Sequence, residues 1–462
     1  MNFVQLYTPG LAHCSYVLGS PPFCVVVDPS RDVDRYLQLA SELDLTIAAI
    51  IETHLHADFV SGHLELASLT GAPIYAPASA RCAFPHVAVE DGQQWRIGDL
   101  QFTLLATPGH TPECSVVLVA DLARGPEPAL ALTGDTLLVG DVGRPDLFPD
   151  IAERLAADLY HSLRRLESLR DGVEVYPAHG MGSLCGRSLS AKLSSTIGNE
   201  RLYNYAFHLH PQEEFSRVLL EGQPPAPDHF SRCSEINRLG PALLSSLPAP
   251  AALAPGDFKR AAEQGALVLD TRDQMAFAAA HVPDAYCIAL AGTIFSTFSG
   301  WVLPPDRPIL LVLERKSDLE AALTGLRRVG LDRVDGYLAG GMEAWAQAGL
   351  ETRGLRSVSI PELQQLLAAG GLQLVDTRSP GEWQEGHIEG ARHIPTADLR
   401  YRYTELDPAQ PVAVICNTGA RSVLGASLLA QRGFRSIINV IGGTTAWKAA
   451  GLPLVTEAAS SG

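Results

Sequence analysis

Positive charge is scarce in this sequence: 35 Lys and Arg stand against 51 Asp and Glu, a formal net charge of −16 at pH 7. Nucleic acid and anionic membrane surfaces are bound through clustered Lys and Arg, so both are excluded as partners. Long apolar runs are lacking as well; nothing approaches the ~18 to 20 residues of a membrane span. The opening stretch Met1 to Gly10 has no basic n-region and no apolar h-region, so no secretory signal is read there. The eight cysteines (14, 24, 82, 114, 185, 233, 287 and 416) show no paired spacing. In a long chain that excludes a disulfide framework and points to reduced thiols in the cytoplasm. Low-complexity sequence is missing beyond a short Ser-Gly tail.

What remains is the composition of an ordinary globular protein, 46% hydrophobic and 19% charged, in a chain of 462 residues that has room for about three domains. Residues 1–240 form the first. Residues 241–256, rich in Pro, Ala and Ser, read as a linker. An internal repeat then divides the remainder into 257–354 and 355–462. Leu267-Val268-Leu269-Asp270-Thr271-Arg272 returns as Leu374-Val375-Asp376-Thr377-Arg378. His281-Val282-Pro283-Asp284-Ala285 returns as His387-Ile388-Glu389-Gly390-Ala391, and Gly340-Gly341-Met342-Glu343-Ala344-Trp345 as Gly442-Gly443-Thr444-Thr445-Ala446-Trp447. Short strands alternate with amphipathic helices in both copies, which predicts two small α/β domains.

The first domain is organised around Thr53-His54-Leu55-His56-Ala57-Asp58-Phe59, which follows the apolar run Ile47 to Ile51. A buried strand ends here and releases two imidazoles and a carboxylate into one loop. That mixture of ligands suits zinc, iron or manganese better than calcium or magnesium. Three further strand-like segments end the same way: Phe102 to Ala106 before Pro108-Gly109-His110, Ala129 to Thr133 before Gly134-Asp135, and Val173 to Tyr176 before Pro177-Ala178-His179. Glycine or proline beside each candidate ligand marks a tight turn where backbone approaches a site. Four such ends along the edge of an α/β sheet predict a metal centre. His63, His86, His161, His208, His210 and His229 read as surface or core histidines. Arg144 and Asp146 have two readings: Arg144 orients an anionic thiol, or the two form an ion pair that holds the turn. Cys185, six residues beyond His179, is a candidate for accepting or relaying sulfur near the metal.

The last domain has its own chemistry. Pro411 to Ile415 reads as a buried strand, followed by Cys416-Asn417-Thr418-Gly419-Ala420-Arg421 and a helix from Ser422 to Arg432. A thiol between a strand and a helix N-terminus faces a ring of backbone N–H groups, here from Asn417, Thr418, Gly419 and Ala420, and the positive end of the helix dipole. Such a position stabilises a thiolate or persulfide anion, and Arg421 is placed to add a charge-assisted contact. Asp376 and Arg378 read as a structural ion pair. In the middle copy the aligned stretch is Leu313-Glu314-Arg315-Lys316-Ser317, without a thiol, so that copy is expected to be an inactive spacer, with Cys287 buried.

Residues 1 to about 235 resemble the persulfide dioxygenase branch of the metallo-β-lactamase superfamily. The motifs are Thr53-His54-Leu55-His56-Ala57-Asp58, Thr107-Pro108-Gly109-His110-Thr111, Thr133-Gly134-Asp135-Thr136-Leu137, Asp141-Val142-Gly143-Arg144-Pro145-Asp146 and Pro177-Ala178-His179-Gly180. Residues 357–455 resemble a rhodanese domain, through the Cys-x-x-Gly-x-Arg loop, Asp376-Thr377-Arg378, Gly386-His387-Ile388-Glu389-Gly390-Ala391 and Gly442-Gly443-x-x-Ala446-Trp447. The resemblance implies a multidomain α/β chain, with an αββα sandwich followed by two rhodanese-like domains. It implies one Fe(II) per chain, held by His54, His110 and Asp135, with His56, Asp58 and His179 orienting ligands or substrate. Phe59 stands where dinuclear relatives have a histidine, which favours one metal ion. The implied enzyme oxidises a small thiol persulfide, such as glutathione persulfide, with O₂ to sulfite and thiol. The fused sulfurtransferase would use Cys416 to interconvert persulfide, sulfite and thiosulfate, serving sulfide detoxification in a cytoplasmic homo-oligomer. The alternative is a zinc-dependent, glyoxalase II-like thioester hydrolase fused to a rhodanese.

Overall fold

A computed structural model describes residues 1–187 and 189–456; the Ser-Gly tail lies outside the described residues. The chain divides into two compact units, residues 1–247 with 326–330 and residues 248–325 with 331–462.

Two six-stranded sheets build the first unit. One runs in the order Asn2–Thr8, His13–Ser20, Phe23–Val27, Thr46–Ile51, Ile74–Pro77 and Val87–Val89; the other in the order Ser195–Thr196, Glu174–Pro177, Leu130–Gly134, Ser115–Asp121, Leu100–Ala106 and Gln94–Ile97. Side chains alternate faces along a strand, and here both faces are apolar. Tyr16, Leu18, Val25, Val27, Ala49 and Ile51 meet Phe102, Val117, Val119, Leu130 and Leu132 in the core between the sheets. Their neighbours Val17, Cys24, Val26 and Ile50 face outward, packed with Tyr36 and Ala40 of the helix Asp34–Glu42 and Leu66 of the helix His63–Thr70. Val116, Leu118, Ala131 and Val175 do the same on the other side, against the helices Ala152–Glu167 and Gln212–Leu220. The result is a four-layer αββα sandwich. A strand buried on both faces reads as a continuous apolar run, which is why Ile47 to Ile51 shows no alternation in sequence.

The site-bearing strands are not edge neighbours in a single sheet, as their sequence suggests. Thr46–Ile51 belongs to the first sheet, whereas Leu100–Ala106, Leu130–Gly134 and Glu174–Pro177 belong to the second. The candidate ligands therefore leave both sheets at one end of the sandwich.

The second unit holds two five-stranded parallel sheets of identical order: Ala251–Leu253, Val334–Leu338, Ile309–Val312, Leu267–Asp270, Tyr286–Cys287, and Arg356–Val358, Ile437–Val440, Val412–Ile415, Gln373–Asp376, Arg392–His393. Ala251–Leu253 falls inside the stretch expected to be a linker. It is instead an edge strand, because its backbone completes the ladder of Val334–Leu338. The repeat extends to fine detail. Trp345 Nε1 donates to the Glu351 carbonyl and Trp447 Nε1 to the Pro453 carbonyl, both at 2.9 Å. Arg272 pairs with Asp270 and reaches the Ala280 carbonyl; Arg378 pairs with Asp376 and reaches the Gly386 carbonyl. Cys287 is buried, and its N–H donates to Ser427 Oγ at 3.3 Å, on the helix Ala420–Gln431 of the last copy. Val423 of that helix joins the apolar core of the middle copy.

Both partners of the Arg378–Asp376 pair are buried. Removing one partner of such a pair strands the other charge without solvent. Asp376→Ala should cost the last copy about 3 to 5 kcal/mol, read as accelerated hydrogen exchange across the strand Val412–Ile415; unchanged exchange there would contradict it.

Candidate metal and sulfur-transfer sites

His54, His110 and Asp135 converge with one ligand atom each, all within 4.8 Å of one another. Asp135 is aimed by a local irregularity. The pairing of Leu130–Gly134 with Glu174–Pro177 shifts register between Leu132 and Gly134, and such a bulge redirects the chain at a strand end. Gly134 has φ +50°, and a Cβ there would lie 2.8 Å from Thr53 Oγ1, so both conformation and space require glycine.

Each imidazole is oriented through its other nitrogen. His54 Nδ1 donates to Thr53 Oγ1 at 2.9 Å, and that hydroxyl donates to Asp28 Oδ2 at 2.8 Å. His110 Nδ1 donates to the Arg144 carbonyl at 3.0 Å. These bonds leave the Nε2 lone pairs of both rings free. Both Nε2 atoms are buried without a hydrogen-bond partner among the described residues, and they face Asp135 Oδ2 at 3.9 and 3.4 Å. Burial pushes both imidazoles below their usual range, and so keeps them neutral. Burial alone would raise the Asp135 carboxyl, but the charge and hydrogen bond of His179 hold it well below the carboxylate range.

His179 spans two carboxylates. Nδ1 donates to Asp135 Oδ1 at 2.8 Å and Nε2 to Asp58 Oδ2 at 2.9 Å. Burial disfavours its charge, yet the two carboxylates outweigh burial and raise its pKa well above the usual value. His56 turns toward a separate acidic pair, with Nε2 3.3 Å from Asp28 Oδ1 and 3.8 Å from Glu52 Oε2; those charges likewise overcome burial and raise its pKa. Glu52 also faces His63 Nδ1 at 3.4 Å, so His63 belongs to this network and is not a bystander. Phe59 is fully buried, its ring centroid 4.4 Å from that of His56.

Asn237, absent from the sequence reading, clamps the loop from the helix His229–Leu239. Its amide donates to the His56 and Phe59 carbonyls and accepts from Ser61 N–H, each at 2.8 Å. Asp28 and Glu52 carry no motif either; the signal for them is their place at strand ends, Asp28 just after Phe23–Val27 and Glu52 just after Thr46–Ile51. Arg144 resolves to the ion-pair reading. Its guanidinium is buried and bonded to Asp146 (2.7 and 2.6 Å) and to the Leu184 and Pro224 carbonyls, so the side chain is engaged within the turn. Its contribution to the site is the backbone carbonyl under His110.

Cys185 lies beside Asp58 and His179, its Sγ within 4.8 Å of their ligand atoms. Burial and then the Asp58 and Asp135 charges push its thiol pKa well above the usual value. A buried, protonated thiol is a poor nucleophile. Iodoacetamide at pH 8 should leave Cys185 unmodified in the folded chain and label it after denaturation, as read by peptide mass mapping; rapid labelling of the folded chain would contradict the geometry.

In the last copy, Cys416 ends the strand Val412–Ile415, and the helix begins at Ala420, earlier than the Ser422 expected from sequence. Gly419 N–H donates to Cys416 Sγ at 3.1 Å. The Asn417 side chain braces the loop: its amide donates to Glu382 Oε1 and its Oδ1 accepts from Thr444 Oγ1 at 2.7 Å. Arg421 is drawn away from the expected sulfur contact, held bidentate by Glu382 at 2.6 and 2.7 Å. Gly443 has φ +56° and crosses so close behind the loop that a Cβ would lie 2.0 Å from the Cys416 carbonyl. The matching stretch of the middle copy forms a short capped turn instead, with Arg315 N–H bonded to Asp318 Oδ2 at 3.1 Å.

The metallo-beta-lactamase superfamily profile matches residues 8–179, and the rhodanese-like domain profile matches residues 254–348 and 359–450. The chain is 37% identical over 156 residues to a hydroxyacylglutathione hydrolase of Pseudomonas entomophila, covering 34% of this chain and 56% of the hydrolase; it thus spans little more than half of that relative. It is 31% identical over 232 residues to the mitochondrial persulfide dioxygenase ETHE1 of Bos taurus, covering 49% of this chain and 83% of that protein. A crystal structure described as a metallo-beta-lactamase from Staphylococcus aureus subsp. aureus COL matches with a TM-score of 0.66 at 30% identity, over 73% of this chain and 98% of the other. By motif, fold and likeness, the chain belongs to the persulfide dioxygenase branch of the metallo-β-lactamase superfamily, with two rhodanese-like domains in the same chain.

Proposed function

We propose that this chain oxidises a small thiol persulfide with O₂ at a single Fe(II) and transfers sulfane sulfur at Cys416. The observation that supports it is the pair of neutral, unpartnered Nε2 atoms facing one ionised carboxylate at His54, His110 and Asp135. Two imidazoles and one carboxylate are the donor set of a facial triad, which leaves positions open for two small ligands. The other acidic groupings suit a metal less well. Both nitrogens of His179 are committed to Asp135 and Asp58, and the carboxylates of Asp28 and Glu52 already face a raised-pKa His56.

When bound there, Fe(II) supplies the redox chemistry that lets O₂ react with sulfur. The chain's own residues prepare the place. Thr53 and the Arg144 carbonyl fix which nitrogen of His54 and His110 is free. His179 holds both Asp135 oxygens, at 2.8 and 2.9 Å, and burial excludes water. Phe59 fills with an apolar ring the position that a second metal's ligand would need, which weighs against a zinc-dependent thioester hydrolase.

At the second site, the Cys416 thiolate attacks the outer sulfur of a persulfide. The S–S bond breaks, the thiol leaves, and Cys416 holds the sulfur. Sulfite then attacks that outer sulfur, giving thiosulfate and restoring the thiolate. Gly419 N–H stabilises the anionic sulfur in both states.

Oxygen uptake by the iron-loaded protein on adding glutathione persulfide, with sulfite and thiosulfate assayed together, tests both halves. Asp135→Ala should abolish uptake. Cys416→Ser should keep uptake and sulfite while thiosulfate falls. Absence of uptake with small persulfides despite bound metal, or hydrolysis of thioesters with zinc, would replace the reading by the hydrolase. His179→Leu, which frees Asp135 to rotate, should weaken iron binding about 10- to 100-fold, measured by competition with a chelator; unaltered affinity would remove His179 from this role.

A further inference from the structure

His13 has no task in the account above. It begins the strand His13–Ser20 and is fully buried, yet neither ring nitrogen has a hydrogen-bond partner among the described residues. Its ring centroid lies 4.2 Å from that of Phe59, 5.5 Å from His56 and 5.6 Å from His179, so it lines the same buried wall as the loop and the bridging imidazole.

The backbone holds it there on both sides. Cys14 N–H donates to the Ala178 carbonyl at 2.7 Å, Gly180 N–H donates to the Ala12 carbonyl at 2.9 Å, and His13 bridges across to His179. Ala12 takes the left-handed φ of +52° just before it, a conformation unfavourable for any residue with a Cβ. A strained residue therefore delivers a buried polar ring that bonds to none of the described residues. Buried donors without partners are destabilising, so native folds rarely keep them unless a partner arrives from outside.

The surroundings define that partner. Burial, with the nearby His56 and His179, keeps His13 neutral, which gives the ring one N–H donor and one lone pair. The apolar face of Phe59, 4.2 Å from the His13 ring, is poor company for water and suits a large, weakly hydrated sulfur. We propose that His13 is a substrate-binding residue, whose imidazole N–H takes the anionic terminal sulfur of a thiol persulfide as the acceptor that no described residue supplies. This rests on the persulfide reading above and assigns a residue that its metal and transfer motifs leave out.

The test compares the wild-type full chain, iron-loaded, with His13→Leu and His13→Asn. KM and kcat for oxygen uptake with glutathione persulfide, bound iron and Tm are measured together. His13→Leu should raise KM about 10- to 100-fold, the worth of one hydrogen bond to a charged acceptor. Its iron content should be unchanged and its Tm higher, because an unpartnered polar group has left the core. His13→Asn, which retains an N–H donor, should recover part of the KM. An unchanged KM in His13→Leu beside an active wild type overturns the assignment alone. A fall in Tm makes His13 a structural residue, and loss of iron makes it a support of the metal; either also overturns it. A wild type without uptake overturns the persulfide reading and this assignment together.

Discussion

The imidazole of His179 lies between two buried carboxylates, Asp135 and Asp58, and much of the first unit's chemistry depends on that bridge. A buried carboxylate survives only when it is paired and hydrogen-bonded. By bonding a cationic ring to both oxygens of Asp135, the fold keeps that carboxylate ionised while His54 and His110, which face its Oδ2, stay neutral with free lone pairs. Asp28 and Glu52 raise the pKa of His56 in the same way. The buried imidazoles thus differ by the hydrogen bonds they make: His179 bonds two carboxylates and its pKa is raised, whereas His54 and His110 bond the Thr53 hydroxyl and the Arg144 carbonyl through Nδ1 and theirs are lowered. Geometry decides this, since the residue types are identical.

The sequence made some of this legible and concealed the rest for physical reasons. Gly109, Gly134 and Pro177 mark turns beside His110, Asp135 and His179, and short-range punctuation of that kind is readable without a fold. Which sheet each strand joins is not, because strands buried on both faces all read as apolar runs; Thr46–Ile51 gives no sign that it lies in a different sheet from Leu130–Gly134. Partners distant in sequence were equally hidden. Arg421 was placed near Cys416 by loop spacing, but Glu382, 39 residues earlier, holds it. Asn237 lies about 180 residues from the loop it clamps. His13 carries no motif at all, and only its burial beside Phe59 distinguishes it from any strand histidine.

The two rhodanese-like copies separate scaffold from chemistry. Both retain the five-strand order, the buried Asp–Arg pair and the tryptophan that caps the chain's return. They differ at the strand end where one has Cys416 and the other Leu313-Glu314-Arg315. The constraint at Gly443 belongs to the chemistry: the backbone must pass directly behind the Cys416 carbonyl. The equivalent Gly341 in the middle copy meets the Leu313 carbonyl at a relaxed 3.6 Å from its hypothetical Cβ.

The helix Ala420–Gln431 carries the sulfur-transfer loop at its N-terminus and lends Val423 to the core of the middle copy. Almost the whole of it from Ser422 to Leu429 is buried. Deletion of the middle copy would leave the working helix with an apolar flank in water and Ser427 without the Cys287 N–H that donates to it. The middle copy therefore forms part of the wall around that helix, and the two copies make one compact unit in place of two separable modules.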